Sequence, residues 1–214
     1  MKHRPHRPLR PLLCEPARLA AGAGFVLSAA VLVACGGAGN PLGNPDDIAN
    51  ETQAGARKLS FVYFQHCINP IFLAQLTIRQ GGQTSVNSCA AAGCHDDANG
   101  TGGAFRVRST AATVDLATTS VDAARQTDMY KNFYSAQGEV VFTAPLDSRL
   151  LAKPLVRGVL HGGGLIFESE QDENVRLIQY WITHPMPQGQ DEFSTAANAM
   201  FASGTPAPQN CNTP

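Results

Sequence analysis

Cys89, Cys94 and His95 bound the stretch Cys89-Ala90-Ala91-Ala92-Gly93-Cys94-His95, in which two thiols are followed at once by an imidazole. Each thiol can add to a vinyl group of a haem, and the histidine beside the second can ligate the iron. The usual signature places two residues between the cysteines. Here Ala90, Ala91, Ala92 and Gly93 intervene, and Gly93 can take backbone angles that a Cβ would forbid, so the longer loop can close. Two other chemistries fit the same residues. Cys89 and Cys94 can form a small disulfide loop in an oxidising compartment, or the two thiols and the imidazole can bind zinc. Zinc fits less well, because His95 sits directly against Cys94 and no second cysteine pair follows.

The compartment is read from the start of the chain. Lys2, Arg4, Arg7, Arg10 and Arg18 precede an apolar run, residues 19–34, that ends in Leu-Val-Ala-Cys at Cys35. A basic start, a short hydrophobic core and small residues before the break describe an export signal. The run is also short for a membrane span, which needs about 20 apolar residues. Leu-Val-Ala-Cys resembles the lipobox of bacterial lipoproteins, which implies a signal over 1–34 and a lipid on Cys35. Gly36 follows, with no aspartate to hold the product at the inner membrane, and the resemblance implies an outer-membrane destination. A tether over 35–46 then leads into one domain over 47–214. Five of the 16 basic and one of the 17 acidic residues precede Cys35, which leaves 11 against 16. Nucleic acid is thereby excluded as a partner, since binding it needs a basic face.

The six cysteines sort by position. Cys14 leaves with the signal, Cys35 takes lipid, and Cys89 and Cys94 form the motif. In an exported chain the remaining two, Cys67 and Cys211, pair most simply with each other.

The elements that must position these groups read as helices joined by long loops. Asp46 and Asp47 start a helix over about 48–65, and Asn69-Pro70 restarts it for a short turn to about 76. His66, at the end of the first, reads as a capping or surface histidine. Residues 79–88 read as a polar, Gly-containing loop. Further helices are expected over about 121–136, 148–153, 172–183, with Val175, Ile178 and Ile182 on one face, and 192–202. No alternation is long enough to predict a sheet, so the expected fold class is all-α.

Taken in order, Pro70-Ile71-Phe72, the cysteine motif, Gly102-Gly103, Ser-Arg-Leu-Leu-Ala-Lys-Pro-Leu at 148–155, His-Gly-Gly-Gly at 161–164 and Leu-Ile-Gln-Tyr-Trp-Ile at 177–182 resemble a single-haem bacterial cytochrome c domain of the exported branch. The resemblance covers about 67–182. It implies a cytochrome c-like helical domain, one covalently attached haem c, and a redox partner protein. Departures are the four-residue linker and the insert between Phe72 and Cys89.

On the far side of the iron from His95, His161 is the preferred ligand, because three glycines after it let the chain turn tightly against a flat ring. Met186 is the alternative, and an open face is a third arrangement. A six-coordinate haem has no vacant position for substrate, so electron transfer is the expected activity. An open face would suit a peroxidase or gas sensor. A disulfide between Cys89 and Cys94 would instead make a haem-free structural lipoprotein.

Overall fold

The computed structural model describes residues 57–214. The export signal, Cys35 and the tether lie outside the described residues, as does the first part of the helix expected over 48–65.

A helical segment opens the described chain. It runs as α1 over Phe61–Tyr63, widens to a π-helix over Phe64–Ile68, and returns to an α-helix, α2, over Asn69–Leu73. Ser60 caps it, its hydroxyl accepting the Tyr63 N–H at 3.0 Å. The widened turn comes directly before Pro70, which has no N–H to give to the carbonyl four residues back and whose ring crowds that carbonyl. The Asn69 N–H bonds Phe64 O instead.

Beyond α2 the expectation of an all-α fold fails. Strands β1 (Leu76–Gln80) and β2 (Gln83–Asn87) pair antiparallel, with Thr77 opposite Val86 and Ile78 opposite Ser85. Helices make up only 34% of the described residues, and a cytochrome c-like fold is not shown. The physical reason lies in Gly81-Gly82, whose φ angles of 58° and 78° form a turn with both central residues left-handed. Such a turn matches the twist of paired strands. The β-branched residues Thr77, Ile78, Thr84 and Val86 then favour extended backbone over the loop expected at 79–88.

The remaining helices are α3 (Val121–Ala124), α4 (Asp128–Gln137), α5 (Arg149–Ala152) and α6 (Glu173–Thr183). Thr127 splits the single helix expected over 121–136, because its hydroxyl accepts the Tyr130 N–H and starts α4 afresh. The helix expected over 192–202 is a 3-10 segment over Thr195–Met200. Among the described residues no helix is long and apolar enough to cross a membrane.

The core is aromatic. Phe64 packs on Phe133 of α4 at 5.5 Å and on Trp181 of α6 at 5.4 Å between ring centres. Trp181 is fully buried, and its indole N–H donates to Ser60 O at 2.9 Å, so α6 is locked across α1. Buried amides fasten the long loop to this core. The Asn132 side chain accepts from Arg108 N at 2.7 Å and donates to Asn69 Oδ1 at 2.9 Å, while Gln65 pairs with both backbone groups of Val114. Cys67 and Cys211 are joined as a disulfide, with Cα atoms 6.0 Å apart across 144 residues.

Candidate functional site

Strand β2 delivers the chain into the cysteine motif. Ala90 N donates to Phe72 O at 3.2 Å, which ties the loop to the end of α2. Ala91 N bonds Ser88 O at 3.2 Å and Cys94 N bonds Ala91 O at 3.0 Å as two tight turns, and His95 N bonds Cys89 O at 2.9 Å, closing the four-residue linker across its ends. Gly93 sits between them at φ 83°, an angle an L side chain rarely adopts. The linker is therefore folded rather than slack, and it brings the two cysteines back together.

Both thiols are free and half-buried. Burial, with Cys94 close by as a second cause, pushes the Cys89 thiol up to about 12. Among the described residues no group of three or more His, Cys, Asp or Glu could hold a metal ion.

Each candidate histidine is oriented by a backbone carbonyl. His95 Nδ1 lies 3.1 Å from Phe105 O, and its ring rests against the Phe105 ring at 4.8 Å. Gly102 supplies the space beside it: a Cβ there would come within 2.5 Å of His95 Cε1 and 2.8 Å of Cys94 O. His161 Nδ1 lies 2.7 Å from Gly164 O, and Gly164 N returns a bond to His161 O at 2.9 Å. Gly164 has φ 76°, and a Cβ on it would meet Arg79 O at 2.6 Å. The glycine is needed because the loop is docked on β1. Arg79 N donates to Leu165 O at 2.8 Å, Leu165 N to Arg79 O at 2.9 Å, and Gln80 Nε2 to Gly162 O at 2.8 Å. The hairpin thus spans the two ligand loops. One strand carries the His161 loop, and the other runs into the cysteines.

The result is a pair of imidazoles with ring centres 6.3 Å apart and planes only 17° from parallel. A carbonyl can only accept, so each Nδ1 carries the proton and each Nε2 keeps a lone pair, which is how metal-ligating histidines are usually held. Burial is the main reason both imidazoles are held below the ordinary histidine range, and the neutral form is the one that ligates.

Met186, the alternative ligand, and the remaining methionines and histidines have the following surroundings. Met186 is buried, with its N–H on Lys58 O at 2.7 Å, and Met129 and Met200 are core residues. His66 is partly buried in the π-helical turn, edge-on to Phe201 at 6.1 Å, and is not a cap. His184 stacks on Tyr180 at 3.8 Å. Apolar side chains flank the imidazole pair in sequence: Leu160, next to His161, is 91% exposed, and Val86, near the end of β2, is 61% exposed. The sequence reading named Gly102 as part of a glycine turn but missed its contact with the His95 ring, and it missed Phe105 and the hairpin; the Gly-Gly pair at 81–82 carried the signal for the last.

No known family, curated protein or solved structure matches the chain.

Proposed function

We propose that the chain is a lipid-anchored electron-transfer protein of the bacterial envelope carrying one haem c. His95 and His161 would hold the iron, and Cys89 and Cys94 would hold the ring. Each of the two thiols would supply the sulfur of one thioether link to the ring, an addition with no net oxidation. The observation that carries the reading is the parallel imidazole pair at 6.3 Å, with both Nδ1 atoms tied to carbonyls. Two protein ligands suit a metal that arrives in its own ring far better than a bare ion, which would need about four.

When bound, the haem supplies a one-electron couple. The chain's own part is to fix both ligands before the metal arrives, so that a change of charge moves little around it. Phe105 O and Gly164 O hold the imidazole N–H groups, and the hairpin holds the spacing between their loops. With both His95 and His161 committed to the iron, no position would be left for substrate, which favours electron transfer over peroxidase or sensor chemistry. The lipid on Cys35 would keep the protein at the membrane beside a redox partner protein.

The test is expression with export and haem maturation, followed by haem staining after denaturing electrophoresis. Wild type is expected to stain, and Cys89→Ser/Cys94→Ser is expected not to. Membrane fractionation of Cys35→Ser, which should move the protein to the soluble fraction, tests the anchor separately.

A further inference from the structure

The loop that carries His161 is fastened unevenly. At its root Gly164 is buried, and Leu165 is bonded to Arg79 in both directions, at 2.8 and 2.9 Å. Before the root the hold is slight. Gly158, Val159, Leu160 and Gly162 are exposed, Leu160 by 91%, so apolar packing does little to keep this stretch in place. Among the described residues no N–H of 158–163 finds a main-chain acceptor, and His161 O accepts only from Gly164, within the loop. The one hydrogen bond that ties 158–163 to the rest of the chain is Gln80 Nε2 to Gly162 O at 2.8 Å. The same glutamine meets the root. A Cβ on Gly164 would come within 2.8 Å of Gln80 Cβ, and Gln80 itself is set by its pairing with Gln83 at the end of the hairpin.

We propose that Gln80 is the latch of the His161 loop, a positioning residue that sets how often the His161 imidazole leaves the group it shares with His95; the inference rests on the function proposed above. Segments with few buried contacts and few hydrogen bonds are where local opening costs least. Here the ladder to β1 fixes the root, so opening is confined to 158–163. Gly158 is suited to the far end of that movement: it has φ 67°, and a Cβ on it would meet nothing within 4 Å. Breaking one side-chain bond then releases the imidazole without disturbing the hairpin or the aromatic core. Closed, the loop offers two imidazoles; open, it leaves one position to a small neutral molecule such as carbon monoxide. Gln80 touches neither the metal nor that molecule and acts through the Gly162 carbonyl.

Wild type, Gln80→Glu and Gln80→Lys, each exported and loaded with haem, are compared by the rate at which the ferrous protein takes up saturating carbon monoxide, a rate set by departure of the protein ligand. Glutamate keeps the length and shape of the side chain but, ionised, has no N–H to give, whereas lysine returns a donor on a flexible stem. Uptake is expected to be roughly twofold to tenfold faster in Gln80→Glu, the worth of one hydrogen bond. Gln80→Lys should return it to near the wild-type rate. Hydrogen exchange of the peptide over 158–164 in the same samples should quicken by the same factor in Gln80→Glu, with the urea midpoint unmoved. A merely structural glutamine would lower that midpoint and leave uptake alone. If Gln80→Glu does not accumulate, Gln80→Ala gives the same reading. Unchanged uptake in the variant without a donor overturns the inference while leaving the haem reading intact; a wild type without haem overturns both.

Discussion

Two hydrogen bonds decide what the imidazoles offer, since Phe105 O and Gly164 O each claim an Nδ1 proton and leave Nε2 bare. At this scale much was legible. Thiols and imidazole in one short run, and a histidine followed by three glycines, are patterns whose chemistry is local. Gly102 was not legible as a ring contact, because its neighbour His95 comes from seven positions away through a loop of irregular backbone. Its role is testable. Gly102→Ala puts a methyl against the His95 ring and the Cys94 carbonyl, neither of which is the end of a flexible chain. The variant is expected to keep the aromatic core but lose most of its bound haem, measured as the haem-to-protein absorbance ratio. A normal ratio would mean that His95 is not held where this packing puts it.

Helix α6 was read correctly because its apolar spacing and the Asp172 cap, which accepts Asn174 N at 2.8 Å, are both local signals. The hairpin was missed because its strands are mostly solvent-exposed, so alternation between apolar and polar residues is weak there. Its function is contact with a loop some 80 residues on, as the Arg79 and Leu165 pairing shows. Tertiary contact of that kind leaves little trace in local pattern. The end of α5 carries strain of its own. Val156 has φ 51° and closes the helix with two crossed bonds, Val156 N to Lys153 O and Arg157 N to Ala152 O. That cap favours glycine. A left-handed non-glycine residue costs about 1–2 kcal/mol, whereas glycine's extra freedom in the unfolded chain costs about 0.5–1 kcal/mol. Val156→Gly is therefore expected to stabilise by roughly 0.5–1 kcal/mol, read as a higher urea midpoint with unchanged slope; a lower midpoint would show that the 40% exposed valine contributes packing that outweighs the strain.

Across the whole molecule the C-terminal tail is part of the fold. The Cys67 to Cys211 bridge closes a loop spanning 144 positions, and Tyr63 OH donates to Asn212 O at 2.5 Å on the same side. In the chain-entropy picture such a loop contributes about 4–5 kcal/mol, so Cys67→Ser/Cys211→Ser is expected to lose most of that in chemical denaturation; a loss under about 1 kcal/mol would place the stability elsewhere. That pairing was legible from the positions of the six cysteines, once the signal, the lipobox and the motif had claimed the other four. The buried Glu192 was not, because its partners are distant in sequence. It accepts from Tyr130 OH at 2.7 Å and Arg125 Nη2 at 3.1 Å, while its backbone carbonyl accepts from Phe61 N at 2.8 Å. Burial pushes its carboxyl up, but the hydrogen bonds from its own backbone, Tyr130 and Arg125 outweigh that and hold it below the ordinary value of 4.5. A depressed folded value means that stability is present above the unfolded value and is lost as pH falls through the folded one. Acidification below about 4.5 is therefore expected to weaken wild type more steeply than Glu192→Gln, compared by thermal melts across pH; parallel profiles would remove Glu192 from the account.

Whether the whole molecule carries electrons turns on the second ligand. The most direct measurement is the ferric and ferrous absorption and paramagnetic resonance spectrum of the exported, haem-loaded protein beside His161→Ala and Met186→Ala. Wild type and Met186→Ala are expected to be low-spin with two imidazole ligands. His161→Ala is expected to keep its haem, turn high-spin and bind carbon monoxide. A His161→Ala protein that stays low-spin, or a wild type that carries no covalent haem, would contradict the account.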